Sequence, residues 1–247
     1  MRQPSLSRLA DRLERRHVGA VLGTLDLSSD RIEIMARGRI RLPDGAPPGP
    51  DTFFEIGSIT KTFTSLALAV LVGGGTVNLD TTLRELLPPG TAVPSRDGVE
   101  ITLEHLARHT SGLPRSSLPL LHELRVVRHG ENPYNLDEAA VLESLGGISL
   151  NHRPGQGHGS YSNLGGGLLG IAARRATGAR DYEDMIRRTV LEPLQLSDTV
   201  VQPTDDRAER LAEGHGVRRR PVDPWFLEGM AGAGALRSTA ADVLRYL

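Results

Sequence analysis

The chain has no cysteine, which excludes disulfides and thiolate metal sites and leaves the redox compartment open. It has no long apolar run either. The longest, Leu66 to Val72, is far too short to cross a bilayer, and the start, Met1-Arg2-Gln3-Pro4-Ser5-Leu6, offers no apolar stretch of signal-peptide length. The expectation is a soluble, cytoplasmic protein; a periplasmic or secreted one would need a start further upstream. Excess charge of one sign is missing too: the net charge is −1, without the basic footprint that nucleic-acid binding needs, so Arg218-Arg219-Arg220 reads as a solvated loop. No internal repeat or heptad stands out. At 247 residues and 26.6 kDa the chain suits one large domain or two closely packed lobes.

Lysine is the scarcest charged residue. Of the 29 Lys and Arg residues only Lys61 is a lysine, and an amine, unlike a guanidinium, can lose its proton near neutral pH when desolvated. Lys61 follows Ser58 by three positions in Glu55-Ile56-Gly57-Ser58-Ile59-Thr60-Lys61-Thr62-Phe63. The next stretch, Phe63 to Val72, is apolar nearly all round and ends at Gly73-Gly74-Gly75, which predicts a buried helix with a glycine stop. Residues three apart share a helix face, so Ser58 and Lys61 can meet. Burial and the positive end of the helix dipole both lower a lysine pKa. The pair therefore suits nucleophilic catalysis, with Ser58 attacking a carbonyl. A plain N-cap role accounts for Ser58 but leaves Lys61 as a cost, since a capping box wants Glu or Gln there.

The remaining pattern mixes strands and helices. Leu6, Leu9 and Leu13 predict an amphipathic first helix of about three turns. Val18 to Leu27 and Arg31 to Arg41 predict a hairpin joined by Ser28-Ser29-Asp30, and Pro43 to Pro50 a loop. Helices are expected from a Thr102 cap to Arg108, from an Asp137 cap to Leu145, over Leu164 to Ala176, and from Asp181 to Leu191.

A second group of interest is Tyr161-Ser162-Asn163, after Pro154-Gly155-Gln156-Gly157-His158-Gly159. Taken alone, Tyr161 fits a packing aromatic and Asn163 an N-cap. The glycines do not form a dinucleotide fingerprint, because no strand precedes them and no acidic residue on a second strand follows. His105 and His109 stand at metal-pair spacing, but no Glu follows and no third ligand is evident. Neither a metal nor a cofactor is expected.

Ser58-Ile59-Thr60-Lys61 after Phe54-Glu55-Ile56-Gly57, then His109-Thr110-Ser111-Gly112-Leu113-Pro114, then Pro154-Gly155 leading to Tyr161-Ser162-Asn163, resemble the class C beta-lactamase-like, or penicillin-binding-protein-like, serine hydrolases in type and order. That family includes D-alanyl-D-alanine carboxypeptidases, D-aminopeptidases and esterases. Leu191-Glu192-Pro193-Leu194-Gln195-Leu196-Ser197-Asp198-Thr199 is similar to the family's Pro-Leu-Gly-Met-x-Asp-Thr stretch, departing from it at Gln195 and Leu196. Gly232 to Asp242 is similar to its glycine-rich turn and following helix. The resemblance covers about residue 18 to the last.

It implies an α/β (α+β) fold, an antiparallel sheet flanked by helices with an inserted helical lobe. Residues 1–73 and about 225–247 would form the sheet lobe with the Ser58 helix, and about 74–224 the helical lobe, of one domain. Ser58 is the implied nucleophile, with its backbone N–H as one oxyanion donor. Lys61 and Tyr161 would share the proton shuttle, either of them serving as base, and Asn163 would bind Lys61 or the substrate amide. A class A arrangement with a separate Glu has no supporting motif here. The substrate would be a small amide or ester, set by loop shape.

The family's third motif, Lys or His, a small residue and Gly on a sheet strand, follows the glycine-rich turn, whereas this sequence stops at Leu247. His215-Gly216 precedes that turn and is no substitute. The expectation is a sheet incomplete at its C-terminal side, and a chain that by itself is catalytically dead or nearly so and inclined to aggregate or seek a partner. Two function classes follow: a serine hydrolase working through an acyl-enzyme at Ser58, or a non-catalytic or truncated relative acting as a ligand-binding or assembly protein.

Overall fold

The structure, a computed structural model, describes residues 5–117 and 132–247. Its contacts fall into two compact units, each built from separate stretches of chain: residues 1–55, 194–224 and 236–247 in the first, 56–193 and 225–235 in the second. The mixed helix and strand content agrees with the fold class expected from the sequence. By contacts, the Ser58 helix and residues 225–235 group with the helical stretches.

In the first unit, helix α1 (Leu6–Glu14) buries Ala10 and packs on a two-stranded antiparallel hairpin, β1 (Gly19–Asp26) and β2 (Arg31–Gly38). The register runs unbroken from Gly19 opposite Gly38 to Asp26 opposite Arg31. The Asp26 carboxylate folds the turn by accepting from the Ser28 N–H at 2.9 Å and the hydroxyls of Ser28 and Ser29 at 2.6 and 2.8 Å. This is local side-chain to backbone chemistry of the kind that initiates turns.

Three short strands, β3 (Phe54–Glu55), β4 (Thr199–Val200) and β7 (Arg237–Ser238), form an antiparallel sheet with β7 in the centre. Two more, β5 (Gly214–His215) and β6 (Pro221–Val222), pair antiparallel with each other, so His215 lies on a short strand. A one-turn helix, α8 (Asp206–Glu209), lies between β4 and β5 in the chain. Buried Arg237 donates to Glu55 at 3.0 Å and to the Val201 carbonyl. The Asp242 carboxylate accepts from the Asp198 N–H at 2.8 Å and the Thr199 hydroxyl at 2.9 Å, binding the last helix of this unit, α10 (Ala240–Tyr246), to β4.

The second unit is helical. Its centre is α2 (Thr60–Gly73), entered through a single 3-10 turn, Gly57–Ile59, and followed by Gly74 and Gly75 as the sequence predicts. Against it lies α6 (Asn163–Thr177). Phe63, Ala67, Leu68, Leu164, Leu168 and Leu169 are buried, each large apolar side chain contributing about 1.5–3 kcal/mol of transfer free energy.

Short helices α3 (Leu83–Leu86), α4 (Leu103–Ala107), α5 (Glu138–Ser144) and α7 (Tyr182–Ile186) are capped by Thr82, Thr102, Asp137 and Asp181. The helix expected to run on to Leu191 passes from α7 into a π turn at Arg187–Leu191. At α4 the Thr102 hydroxyl accepts from the His105 N–H, and His105 Nδ1 accepts from the Thr102 N–H at 3.2 Å. His105 stands where a capping box usually has Glu or Gln.

The glycines of α6 let helices approach where side chains would collide. A Cβ on Gly170 would lie 2.8 Å from the Gly232 Cα of the short helix α9 (Ala231–Gly234). One on Gly166 would lie 2.9 Å from Lys61 Cε. The glycine run is thus the room in which the lysine is housed.

Candidate active site

All four residues singled out from the sequence meet in the second unit. Ser58 is exposed in the 3-10 turn and Lys61 lies one turn on, buried at 9% exposure. Lys61 Nζ donates to Ser58 Oγ at 3.3 Å, as the three-residue spacing requires. Neither the 3-10 turn nor α2 has a side-chain N-cap, so Ser58 is not spent on capping. A cation in the first turn of a helix opposes the dipole. The cost is offset by two further acceptors: Asn163 Oδ1 at 2.9 Å and the Ala233 carbonyl at 2.6 Å.

Asn163 reaches Lys61 because it is not the cap. Ser162 takes that place, its hydroxyl accepting from the Gly165 N–H at 2.9 Å and donating to the Pro114 carbonyl at 2.6 Å. This corrects the N-cap reading of Asn163: as first residue of α6, its side chain is left for the lysine.

Tyr161 comes to Ser58 from the loop ahead of α6, its hydroxyl donating to Ser58 Oγ at 2.5 Å. The ring stands 4.9 Å from Lys61 Nζ and 5.3 Å from the Arg115 guanidinium, two cation–π contacts. On its other flank is His109, ring centroids 4.8 Å apart at 39°. His109 Nδ1 accepts from the Ser162 N–H at 3.2 Å, so the imidazole braces the Tyr161-Ser162 backbone. Among the described residues no group of three His, Cys, Asp or Glu is placed to hold a metal ion.

Both ionisable neighbours of Ser58 have shifted pKa values. Burial holds the Lys61 pKa below the ordinary lysine value; contact with Tyr161 works the other way and the Arg115 charge adds to the depression. For Tyr161, burial acts to raise the pKa, but hydrogen bonding to Lys61 and Ser58 and the charges of Lys61 and Arg115 prevail and hold it below the usual tyrosine value. His109 is lowered by burial and by the Lys61 charge, which favours a neutral ring. Two proton-carrying groups with depressed pKa values thus converge on one exposed serine hydroxyl.

Sequence reasoning did not mark the site's other contributors. Ala233 offers only a backbone carbonyl, whose sole signal is the glycine-rich turn around it. Arg115 lies just past the His109 motif. Tyr134, whose hydroxyl accepts from Asn163 Nδ2 at 2.7 Å, sits in a turn ahead of the Asp137 cap with nothing local to distinguish it.

The beta-lactamase family model matches residues 15–247. The D-alanyl-D-alanine-carboxypeptidase/endopeptidase AmpH of Escherichia coli K12 is 31% identical over 220 residues, covering 85% of this chain and 52% of that protein. The chain therefore spans about half the length of that relative. A beta-lactamase/D-alanine carboxypeptidase from Yersinia pestis, solved with citrate, superposes with TM-score 0.74 at 27% identity, covering 98% of this chain and 68% of that one. A class C beta-lactamase from Rhodobacter sphaeroides gives TM-score 0.77 at 26% identity, covering 97% and 63%.

Proposed function

We propose, on the premise that this chain belongs to the beta-lactamase family, that Ser58 is the nucleophile of a serine hydrolase transferring the acyl group of a small amide or ester to water. The observation that carries this is the convergence of Tyr161 Oη at 2.5 Å and Lys61 Nζ at 3.3 Å on Ser58 Oγ. A base takes the Ser58 proton as Oγ attacks the substrate carbonyl carbon, and the tetrahedral oxyanion forms beside the Ser58 N–H at the start of the helix. The oxyanion collapses and expels the amine or alcohol, which the same base, now an acid, protonates. Water then gives up a proton to that base as its oxygen bonds to the acyl carbon, and the base returns the proton to Ser58 Oγ as the C–Oγ bond breaks, releasing the acid and free Ser58.

Either Lys61 or Tyr161 supplies the base, and both depressed pKa values suit the role. Asn163, set between Lys61 and Tyr134, positions the lysine or the substrate amide. The name of AmpH supports a peptide ending in D-alanine as the substrate class; this is an amide of the kind the mechanism handles, and esters are chemically easier cases.

The test uses covalent capture. Incubated with a fluorophosphonate or a fluorescent penicillin, the chain should gain one adduct, located by mass spectrometry on the peptide containing Ser58 and lost in Ser58→Ala. An adduct at Ser65, Ser111 or Ser162 would move the nucleophile. No adduct at all would favour a ligand-binding or assembly role instead.

A further inference from the structure

An asparagine side chain is a planar amide with unlike ends, and only one orientation suits a protonated lysine. Asn163 turns Oδ1 toward Lys61 Nζ at 2.9 Å. Reversed, the amide would set its amino group against a second donor. Lys61, a donor only, selects the end of the amide that faces it, but its ammonium also serves Ala233 and Ser58 and does not hold the plane and torsion of the amide. The far end of the amide is held instead by Tyr134, where Nδ2 donates to Oη at 2.7 Å.

Tyr134 is itself anchored. It is 8% exposed, its N–H is bound by Asn132 Oδ1 at 2.9 Å, and its ring stands edge-on to Trp225, centroids 6.0 Å apart at 61°. We propose that Tyr134 is a positioning residue of the site, its hydroxyl holding the far end of the Asn163 amide so that the carbonyl oxygen stays within reach of Lys61. This rests on the acyl-transfer reading for its purpose, and on the hydrogen-bond chain Tyr134, Asn163, Lys61 for its substance.

The consequence is measurable at Lys61. The groups facing it are Ser58 on its own face, Asn163 on α6, the Ala233 carbonyl on α9, and Tyr161, Arg115 and His109 from the adjoining loops. Of these acceptors it is the Asn163 oxygen whose amide Tyr134 holds. An acceptor bound to the ammonium favours the charged form, so freeing the amide should let Lys61 lose its proton at lower pH.

Since the chain has a single lysine, labelling lysine with 13C at the ε carbon gives one resonance from Lys61, and its pH titration needs no turnover. Tyr134→Phe should move the midpoint to lower pH, whereas the same change made on Asn163→Ala should not move it, the two effects being coupled through one amide. Emission from Trp225, the sole tryptophan, should be the same in Tyr134→Phe as in the parent, showing the ring still seated. A midpoint that does not fall in Tyr134→Phe, or that falls equally in both backgrounds, overturns the proposal. Labelling of Ser58 by a fluorophosphonate, measured separately, decides the acyl-transfer reading whatever the titration shows.

Discussion

An arginine at position 61 would carry the charge of the lysine found there and could reach much of the same space, yet it would stay protonated at every working pH. Lys61→Arg should therefore lower the rate of Ser58 acylation by about a thousandfold or more, the loss usual for one member of a coupled catalytic group. Labelling by the parent should rise along an acid limb centred below 10.5, because burial depresses the lysine. The limb reports the deprotonated base, so activity is gained as pH rises through it. Stopped-flow labelling across pH checks both points; near-parental rates in Lys61→Arg would pass the role of base to Tyr161. At this scale the sequence was informative only where geometry is local. Ser58 and Lys61 are three residues apart, and helical periodicity alone predicts their contact. Asn163 and Tyr134 touch across 29 positions, and the Ala233 carbonyl belongs to no side chain, so no spacing rule reveals either.

Among the elements, the connection into β4 shows a different constraint. Gln195 adopts φ +56°, a left-handed conformation costing a non-glycine residue about 1–2 kcal/mol, and it stands where the family's pattern has glycine. Arg245 reaches its side chain at 3.4 Å, a long and solvent-exposed hydrogen bond that offsets little of that cost. Gln195→Gly should raise stability by up to about 1 kcal/mol, the relief of strain being partly cancelled by greater freedom in the unfolded chain. Chemical denaturation, with the midpoint raised and the slope unchanged, is the check; a lower midpoint would show that the glutamine contributes more than it costs. Element boundaries were legible where capping or alternation wrote them, as at Thr102, Asp137, Asp181 and the β1–β2 hairpin. The two-residue strands β3, β4 and β7 were not, since pairs so short carry no period and exist only because distant partners meet.

At the scale of the whole molecule, chain order and spatial order part ways. Each compact unit is assembled from non-adjacent stretches, so periodicity read along the sequence could not divide them. One further property follows from how the lysine is housed. Its side chain is buried in the space left by Gly166, on a helix that also buries Phe63, Ala67 and Leu68. A lysine-specific protease has a single bond to cut, Lys61–Thr62, and reaches it only when α2 unwinds. Cleavage into residues 1–61 and 62–247 should be slow in native buffer and accelerate with mild denaturant, tracking the opening equilibrium when reclosing outpaces cutting. Rapid cutting of the native protein would mean that α2 frays at its N-terminus. The residue that supplies the chemistry thus also serves as the molecule's own clock for opening, one cut at a time.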